Sequence, residues 1–519
     1  MSWFTAPQPL LPALLAHHGR WRAGRTALVE GERRLSWAQL DQATAQIAHG
    51  LAASGLSRGT RIAVLMDNSL ELALLLLGIL RSGCVAVPLN VSISDAAVGA
   101  MIEDAAARAV FASAGHCQRI DALSATVPRA ARALRFAHQG PGAGWREFNA
   151  WRAAQPAHTP LIAIAPDDEC NIIYSSGTTG VPKGIVHSHR CRLSWATDLA
   201  IALRYRSDCV TLCSLGLFSN ISWVAMLATA LVGGTIVVMP GFEPRATAAL
   251  IESERITHGN FVPLQLERLL SLPELDNFRF DSLDTIMCCG SPLALQVKRE
   301  FPRRTGCSLI ELYGLTEGVC TILSPEDFAA KTDSVGKPFL GTELRILDED
   351  DREAPPGATG EIVGYSPLLM QGYHGHDDAN QEATWTDPEG RRWLRTGDLG
   401  FLDAEGFLYV VDRKKDMILS GAQNVYPADI EQVMRAHPDV AEVAVVGARS
   451  RKWGETPVAF VVARPGSSLE RDELLQWTNA RVGRQQRIAD VLWCGSLPRN
   501  ANGKILKREL RAALGKGEY

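Results

Sequence analysis

The sequence predicts an α/β protein with a large N-terminal domain of doubly wound sheets, a small β-barrel-like part and a small α+β C-terminal domain. Three observations predict it. Short apolar runs alternate with segments of helical periodicity as far as Gly290. From Gly341 to Asp412 the texture changes to short strand-like segments broken by Gly, Pro and Asp. Residues 412–416 are then all charged, and a second mixed pattern follows them.

In chain order, Ala38 to Gly55 carries Leu40, Ala43, Ile47 and Leu51 at helical spacing and reads as an amphipathic helix. Arg61–Met66 reads as a strand, and Leu70–Leu80 as a buried helix. That apolar run stops at Arg81, well short of a bilayer span. Asn171–Tyr174, Gly234–Met239 and Asp284–Cys289 read as further strands, the adjacent Cys288 and Cys289 serving packing rather than chemistry. Alternation of this kind implies parallel sheets covered by helices. Leu344–Leu347, Glu361–Val363 and Phe407–Val411 predict a small antiparallel sheet or barrel. The charged stretch Asp412–Asp416 is hard to bury and marks a linker. The expected division is therefore 1–411, a hinge at 412–416, and 417–519. The last part offers helices at Pro427–His437 and Leu469–Val482, and strands at Glu442–Val446 and Val458–Val462.

Composition narrows the function. The 519 residues are 46% hydrophobic and 21% charged, which describes a soluble globular chain of at least two domains. A net charge of −4 without a long basic run argues against nucleic acid as the main partner. The N-terminus lacks the basic-then-apolar pattern of a secretory signal. Eleven cysteines are scattered with no CxxC, which suits free thiols in a reducing cytoplasm. The expected location is cytoplasmic, with no membrane span, and a homodimer is compatible with it.

The loop after Tyr174 carries the chemistry. Ser175, Ser176, Gly177, Thr178, Thr179 and Gly180 are followed by Lys183 and Gly184. Glycines let backbone N–H groups turn toward an anion, hydroxyls add donors, and the lysine adds a point charge. Such a loop suits a polyphosphate, although its register is not that of a Walker loop. It leaves the end of an apolar strand, a common place for phosphate in α/β proteins.

The loop resembles the signature of the adenylate-forming superfamily, and more specifically of its acyl- and aryl-CoA synthetase group. Further matches follow in the superfamily's order: Glu311-Leu-Tyr-Gly-Leu-Thr-Glu317, Trp393-Leu-Arg-Thr-Gly-Asp398, Asp412-Arg-Lys-Lys-Asp416 and Leu497-Pro-Arg-Asn-Ala-Asn-Gly-Lys504, with a weaker one at Gly83–Asn90. The resemblance implies a large domain and a C-terminal lid that changes orientation between two half-reactions. ATP would activate a carboxylic acid as acyl-AMP, and coenzyme A would then take the acyl group as a thioester.

By resemblance, Lys183, Thr316 and Lys504 carry catalysis. The nucleotide would be held by Ser175–Gly180, Gly290, Ser291, Pro292, Glu311, Tyr313, Gly314, Asp398 and Arg413. Tyr313 would stack on adenine, Asp398 would accept the ribose hydroxyls, and Lys504 would contact the carboxylate and bridging phosphate oxygen. Glu317 would hold Mg2+, an ion that takes one or two carboxylates beside phosphates. Lys415 would be the hinge, with Ser420 and Gly421 on the CoA side.

The match weakens at the acyl pocket. The group's Pro-x-Phe-His-like segment corresponds to Ser214–Trp223, which has no histidine, and Ser219 or Asn220 stands near its place. The stretch also lacks an aspartate to hold an ammonium, which disfavours an amino acid substrate. Asn220, Trp223, Phe261 and Cys289 are candidate pocket residues, and they suit an apolar acyl or aryl acid. The alternatives are a stand-alone ligase that loads a carrier-protein phosphopantetheine, a luciferase-like oxygenase, and a non-catalytic nucleotide-binding protein.

Overall fold

In the computed structural model, which describes residues 8–140, 142–174, 183–420, 423–500 and 503–515, the apolar runs become strands covered by helices. The chain divides into two compact units. One comprises Met1–Thr332, Pro338–Thr342 and Tyr365–Thr384; the other comprises Asp333–Lys337, Glu343–Gly364 and Trp385–Tyr519.

The first unit contains two large sheets. One places Gly372–Tyr373, Gly184–Ser188, Glu169–Tyr174, Val85–Pro88, Arg61–Leu65, Ala109–Ser113, Leu134–His138 and Arg146–Glu147 side by side. The other orders Cys320–Leu323, Ser308–Gly314, Thr285–Cys289, His258–Phe261, Val210–Cys213, Thr235–Val238, Thr26–Glu30 and Arg33–Ser36. Both are parallel inside and antiparallel only at their edges. This is why inner strands such as Arg61–Leu65 and Thr285–Cys289 are largely apolar rather than alternating.

Helix Trp37–Ala53 begins at a capping box, in which Ser36 Oγ accepts the Gln39 N–H and Gln39 Oε1 accepts the Ser36 N–H. Helix Leu70–Arg81 is buried along its whole length. Its last residue, Arg81, donates to Thr44 Oγ1 at 3.0 Å and pairs with Asp41. Helix Asn220–Val232 is almost entirely apolar and ends at Gly233, whose φ of +74° needs no Cβ.

The second unit holds an antiparallel sheet built on Glu343–Leu347, Gly360–Tyr365, Arg392–Leu402 and Leu408–Arg413, as expected from its broken texture. A further sheet places Gln423–Val425, Ile418–Ser420, Gly454–Ala463 and Val440–Ser450 in order. Asp490–Trp493 adds to it in parallel, and helices Pro427–Arg435, Arg471–Asn479 and Lys507–Ala513 accompany it.

Two helices are shorter than their sequence patterns. The first ends at Arg435, before His437 Nδ1 accepts the Asp439 N–H at 3.2 Å. The second ends at Asn479, whose amide both donates to the Ile488 carbonyl and accepts the Ile488 N–H. Local side-chain bonds of this kind compete with helix propagation. The charged stretch 412–416 is exposed only at Lys414 and Lys415, and three of its charges are paired. Arg413 ends a strand against Asp398 at 2.5 Å, Lys414 meets Glu361 at 2.9 Å, and Asp416 is buried against Arg511 at 2.6 Å.

No disulfide joins the cysteines. Ten are buried in the first unit, and Cys494 is half-buried in the second. Among the described residues no helix is long and apolar enough to cross a membrane.

Candidate active site

In the first unit, strand Glu169–Tyr174 leads into the Ser/Gly loop and strand Gly184–Ser188 leaves it. Ser175, Ser176, Gly177, Thr178, Thr179 and Gly180 lie outside the described residues. Lys183 is described. Its ammonium lies 5.2 Å from the ring centroid of Tyr373, a cation–π distance. Tyr373 pairs with Ile185 across the sheet edge, and its hydroxyl donates to Glu317 Oε1 at 3.0 Å. One tyrosine therefore contacts both the loop lysine and the candidate metal carboxylate.

Strand Ser308–Gly314 carries the second cluster. It runs parallel to Thr285–Cys289, with Cys288 opposite Glu311 and Cys289 opposite Leu312. Half-buried Tyr313 and exposed Gly314 therefore emerge beside exposed Gly290 and Pro292 and half-buried Ser291, at the carboxyl ends of neighbouring parallel strands. Open α/β sheets bind ligands at such ends. Gly290 has φ +102°, a conformation that suits glycine. Glu311 does not join this open edge. It is buried, its carboxylate lies 2.5 Å from the Lys298 ammonium, and it accepts the Leu293 N–H at 3.4 Å. Burial raises its pKa, and Lys298 opposes that rise.

Thr316 and Glu317 are half-buried and held by the backbone. The Thr316 carbonyl accepts from His187 Nε2 at 2.8 Å, and the Glu317 carbonyl accepts the Met370 N–H at 2.8 Å. Gly318 follows with φ +121°, and a Cβ there would lie 2.2 Å from the Leu368 carbonyl oxygen.

His187 is part of a buried network that sequence reading missed. Arg192 donates from Nε to Asn171 Oδ1 at 2.7 Å, from Nη1 to Asn220 Oδ1 at 2.7 Å, and from Nη2 to His187 Nδ1 at 3.1 Å. Its guanidinium carbon lies 5.7 Å from the Trp223 ring centroid. No carboxylate pairs with it among the described residues, and burial pushes its pKa down to about 10. Burial and the Arg192 charge hold His187 well below the usual imidazole range. The only cue in the sequence was a charged residue between apolar Cys191 and Leu193, a position normally read as solvent-facing.

The four candidate pocket residues are buried, but the structure does not gather them on one face. Asn220 Oδ1 is occupied by Arg192, and Trp223 belongs to a buried cluster that also holds Leu193, Leu217 and Met226. Phe261 stands opposite Cys288 in the parallel register. Side chains alternate along a strand, so Phe261 faces away from Cys289. Cys289 shares a cluster with Val224, against which half-buried Ile221 also packs.

In the second unit, Asp398 and Arg413 are register partners on neighbouring strands, and Asp398 is buried. The Lys504 backbone is fixed by reciprocal bonds to Asn500, from its N–H to Asn500 Oδ1 and from its carbonyl to the Asn500 N–H, each 2.9 Å. Burial and the nearby Arg413 charge lower the Lys504 pKa to about 8, against the opposing pull of Asp398. Burial also lowers the pKa of Lys415, with Asp416 opposing. Ser420 is buried at the end of strand Ile418–Ser420, opposite Gly454, and Gly421 lies outside the described residues.

The chain is similar to known proteins over nearly all of its length. The AMP-binding enzyme family matches residues 15–374, and the AMP-binding enzyme C-terminal domain matches residues 429–504. The indoleacetate–CoA ligase of Aromatoleum aromaticum is 34% identical over 95% of this chain and 96% of its own length. The long-chain-fatty-acid–CoA ligase of Mycobacterium tuberculosis is 33% identical over 92% of this chain and 93% of its own. The solved o-succinylbenzoate CoA synthetase of Bacillus subtilis, in complex with its acyl-adenylate intermediate, superposes with a TM-score of 0.83 at 28% identity, covering 98% of this chain and 99% of that one. The chain belongs to the AMP-binding enzymes of the adenylate-forming superfamily, and it is an AMP-forming acid–thiol ligase of their acyl- and aryl-CoA synthetase group.

Proposed function

We propose that this ligase activates an apolar acyl or aryl monocarboxylate. The acid carboxylate attacks the α-phosphorus of ATP, pyrophosphate leaves, and acyl-AMP forms. The thiolate of CoA then attacks the acyl carbon and AMP leaves. A carboxylate is a poor electrophile because its oxygen is a poor leaving group, and the phosphate ester of AMP replaces it with a better one. The protein supplies positioning and charge neutralisation, as in phosphoryl transfer generally.

The observation that carries this reading is the joining of Lys183 and Glu317 through Tyr373. In this reading Lys183 and the loop before it meet the β- and γ-phosphates, and Thr316 adds a hydroxyl. Tyr313 stacks on adenine against the Gly290–Pro292 turn, since both lie at the open strand ends. Glu317 fits a Mg2+ ligand, because Tyr373 fixes one of its carboxylate oxygens as ligating carboxylates are commonly fixed. The ion would neutralise phosphate charge. Asp398 accepts the ribose hydroxyls, Arg413 sits beside it, and Lys504 stabilises charge during adenylation. Buried Glu311 supports the strand through Lys298 rather than touching nucleotide.

The acid is held by apolar surface. Ile221 and Val224 of helix Asn220–Val232 share one cluster with Cys289, and none of them offers a partner to a second charge. Apolar contact contributes about 0.8 kcal/mol per CH₂, a few-fold in kcat/KM per methylene. A panel of short, medium, long and aromatic acids tests this reading, with CoA-dependent AMP release as readout. Medium aliphatic or aromatic monocarboxylates are expected to outcompete acetate, dicarboxylates and amino acids. Acetate or malonate as the best acid overturns the reading of the pocket. Release that ignores CoA but responds to a phosphopantetheinylated carrier protein overturns the choice of acceptor.

The same reading places a hinge at 412–416, about Lys415, between domains 1–411 and 417–519, with Ser420 and Gly421 toward CoA. Proline fixes φ near −65°. Lys415→Pro is expected to form acyl-AMP and stall before the thioester, and normal thioester output from the folded variant rules the hinge out.

A further inference from the structure

We propose that Arg192 is a positioning residue for adenylate formation, acting through His187 on the Thr316 backbone. The guanidinium is a rigid fork of donors with no acceptor. Its three bonds reach three separate elements: Asn171 on strand Glu169–Tyr174, His187 on strand Gly184–Ser188, and Asn220 at the start of helix Asn220–Val232. The two strands flank the phosphate loop.

The bond to His187 also fixes a tautomer. A donor on Nδ1 requires a lone pair there, so the ring hydrogen sits on Nε2. Nε2 faces a carbonyl oxygen, that of Thr316, which requires a hydrogen. Each contact thus demands what the other provides. The relay continues beyond Thr316. Glu317 is the next residue, Tyr373 holds its carboxylate, and Lys183 lies over the Tyr373 ring.

A packing role alone does not account for this arrangement. A buried cation with no carboxylate costs stability, and apolar replacement of buried charge is often neutral or stabilising. What the guanidinium provides is registration of the loop's two flanking strands, the helix start and the Thr316 loop relative to one another. Effective catalysis needs that registration, since a misplacement of 1 Å costs on the order of a hundredfold.

The inference rests on the reading of Thr316 as a phosphate contact, so the experiment includes Thr316→Ala. The full chain is assayed for ATP–pyrophosphate exchange, and separately for thioester formation from supplied acyl-AMP. His187→Met and Arg192→Met are expected to slow exchange at saturating substrate on the order of tenfold to a hundredfold. The KM for ATP should move less than about threefold, since the loss falls in the transition state. Thioester formation from acyl-AMP should stay near the parent rate. His187→Gln, whose amide N–H can still reach the Thr316 carbonyl, should recover most of the exchange rate. The double variant should lose much less than the product of the two single losses, because Arg192 and His187 belong to one network.

Equal loss in both half-reactions, multiplicative losses in the double variant, or a His187→Gln variant no better than His187→Met would each overturn the proposal. Normal exchange by Thr316→Ala sinks the reading of Thr316 itself. Slow exchange by Thr316→Ala beside a normal His187→Met sinks only the relay. If Arg192→Met fails to fold because it strands three acceptors, the His187 pair decides alone.

Discussion

At the residue scale, Lys504 combines a functional demand with an electrostatic cost. The proposed reaction asks for a cation there, while burial lowers its pKa from 10.5 to about 8. The unfolded chain therefore holds more protons than the folded one between about pH 8 and 10.5, so this group makes stability rise with pH across that window. Below about pH 8 the folded protein carries the cost of the buried charge in full. Function runs the other way. The kcat/KM of ATP–pyrophosphate exchange, which reports the free enzyme, is expected to fall as pH rises past about 8. Lys504→Ala should lose exchange on the order of a hundredfold or more and remove that alkaline limb, since a preorganised charge of this kind contributes roughly 10²- to 10³-fold. Thioester formation from supplied acyl-AMP should survive. An unchanged alkaline limb in Lys504→Ala would assign the titration to another group.

At the element scale, the turn after Glu317 depends on one glycine. Gly318 has φ +121°, and a Cβ would meet the Leu368 carbonyl at 2.2 Å. Gly318→Ala must therefore shift the backbone, and Glu317 moves with it. The expected result is a lower Tm together with a raised Mg2+ requirement for exchange. A variant with parent-like Tm and parent-like Mg2+ dependence would show that the turn is more compliant than its geometry implies. This turn also shows where sequence reading stops. Strands such as Thr285–Cys289 were legible because a parallel strand buried on both faces must be apolar. Helix ends such as Asn479 were not, because the bond that stops the helix comes from Ile488 beyond the turn. Thr316 and Glu317 were legible as residue types in a motif. Their supports, His187 and Tyr373, come from distant segments that no local pattern marks. Arg192 was hidden for a simpler reason: an arginine in a helix reads as solvent-facing until its three acceptors are seen.

At the scale of the whole molecule, the residues of the proposed chemistry fall in two units. Lys183, Tyr313, Thr316 and Glu317 belong to one, and Asp398, Arg413 and Lys504 to the other. The distribution of cysteines follows the same division, and this has a practical consequence. Every thiol of the first unit is buried, with the pKa of Cys213, for example, pushed up to about 12, so maleimide cannot react there until that unit opens. Cys494 is the one cysteine of the second unit and the one that is not fully buried. Alkylation followed by intact mass therefore times two separate events without any engineered label. A single early adduct reads solvent access in the C-terminal unit, and a later burst of up to ten reads loss of the N-terminal core. ATP or an acyl-AMP analogue that clamps either unit would register as a delay in its own adduct, which makes the native thiols a clock for each half of the enzyme.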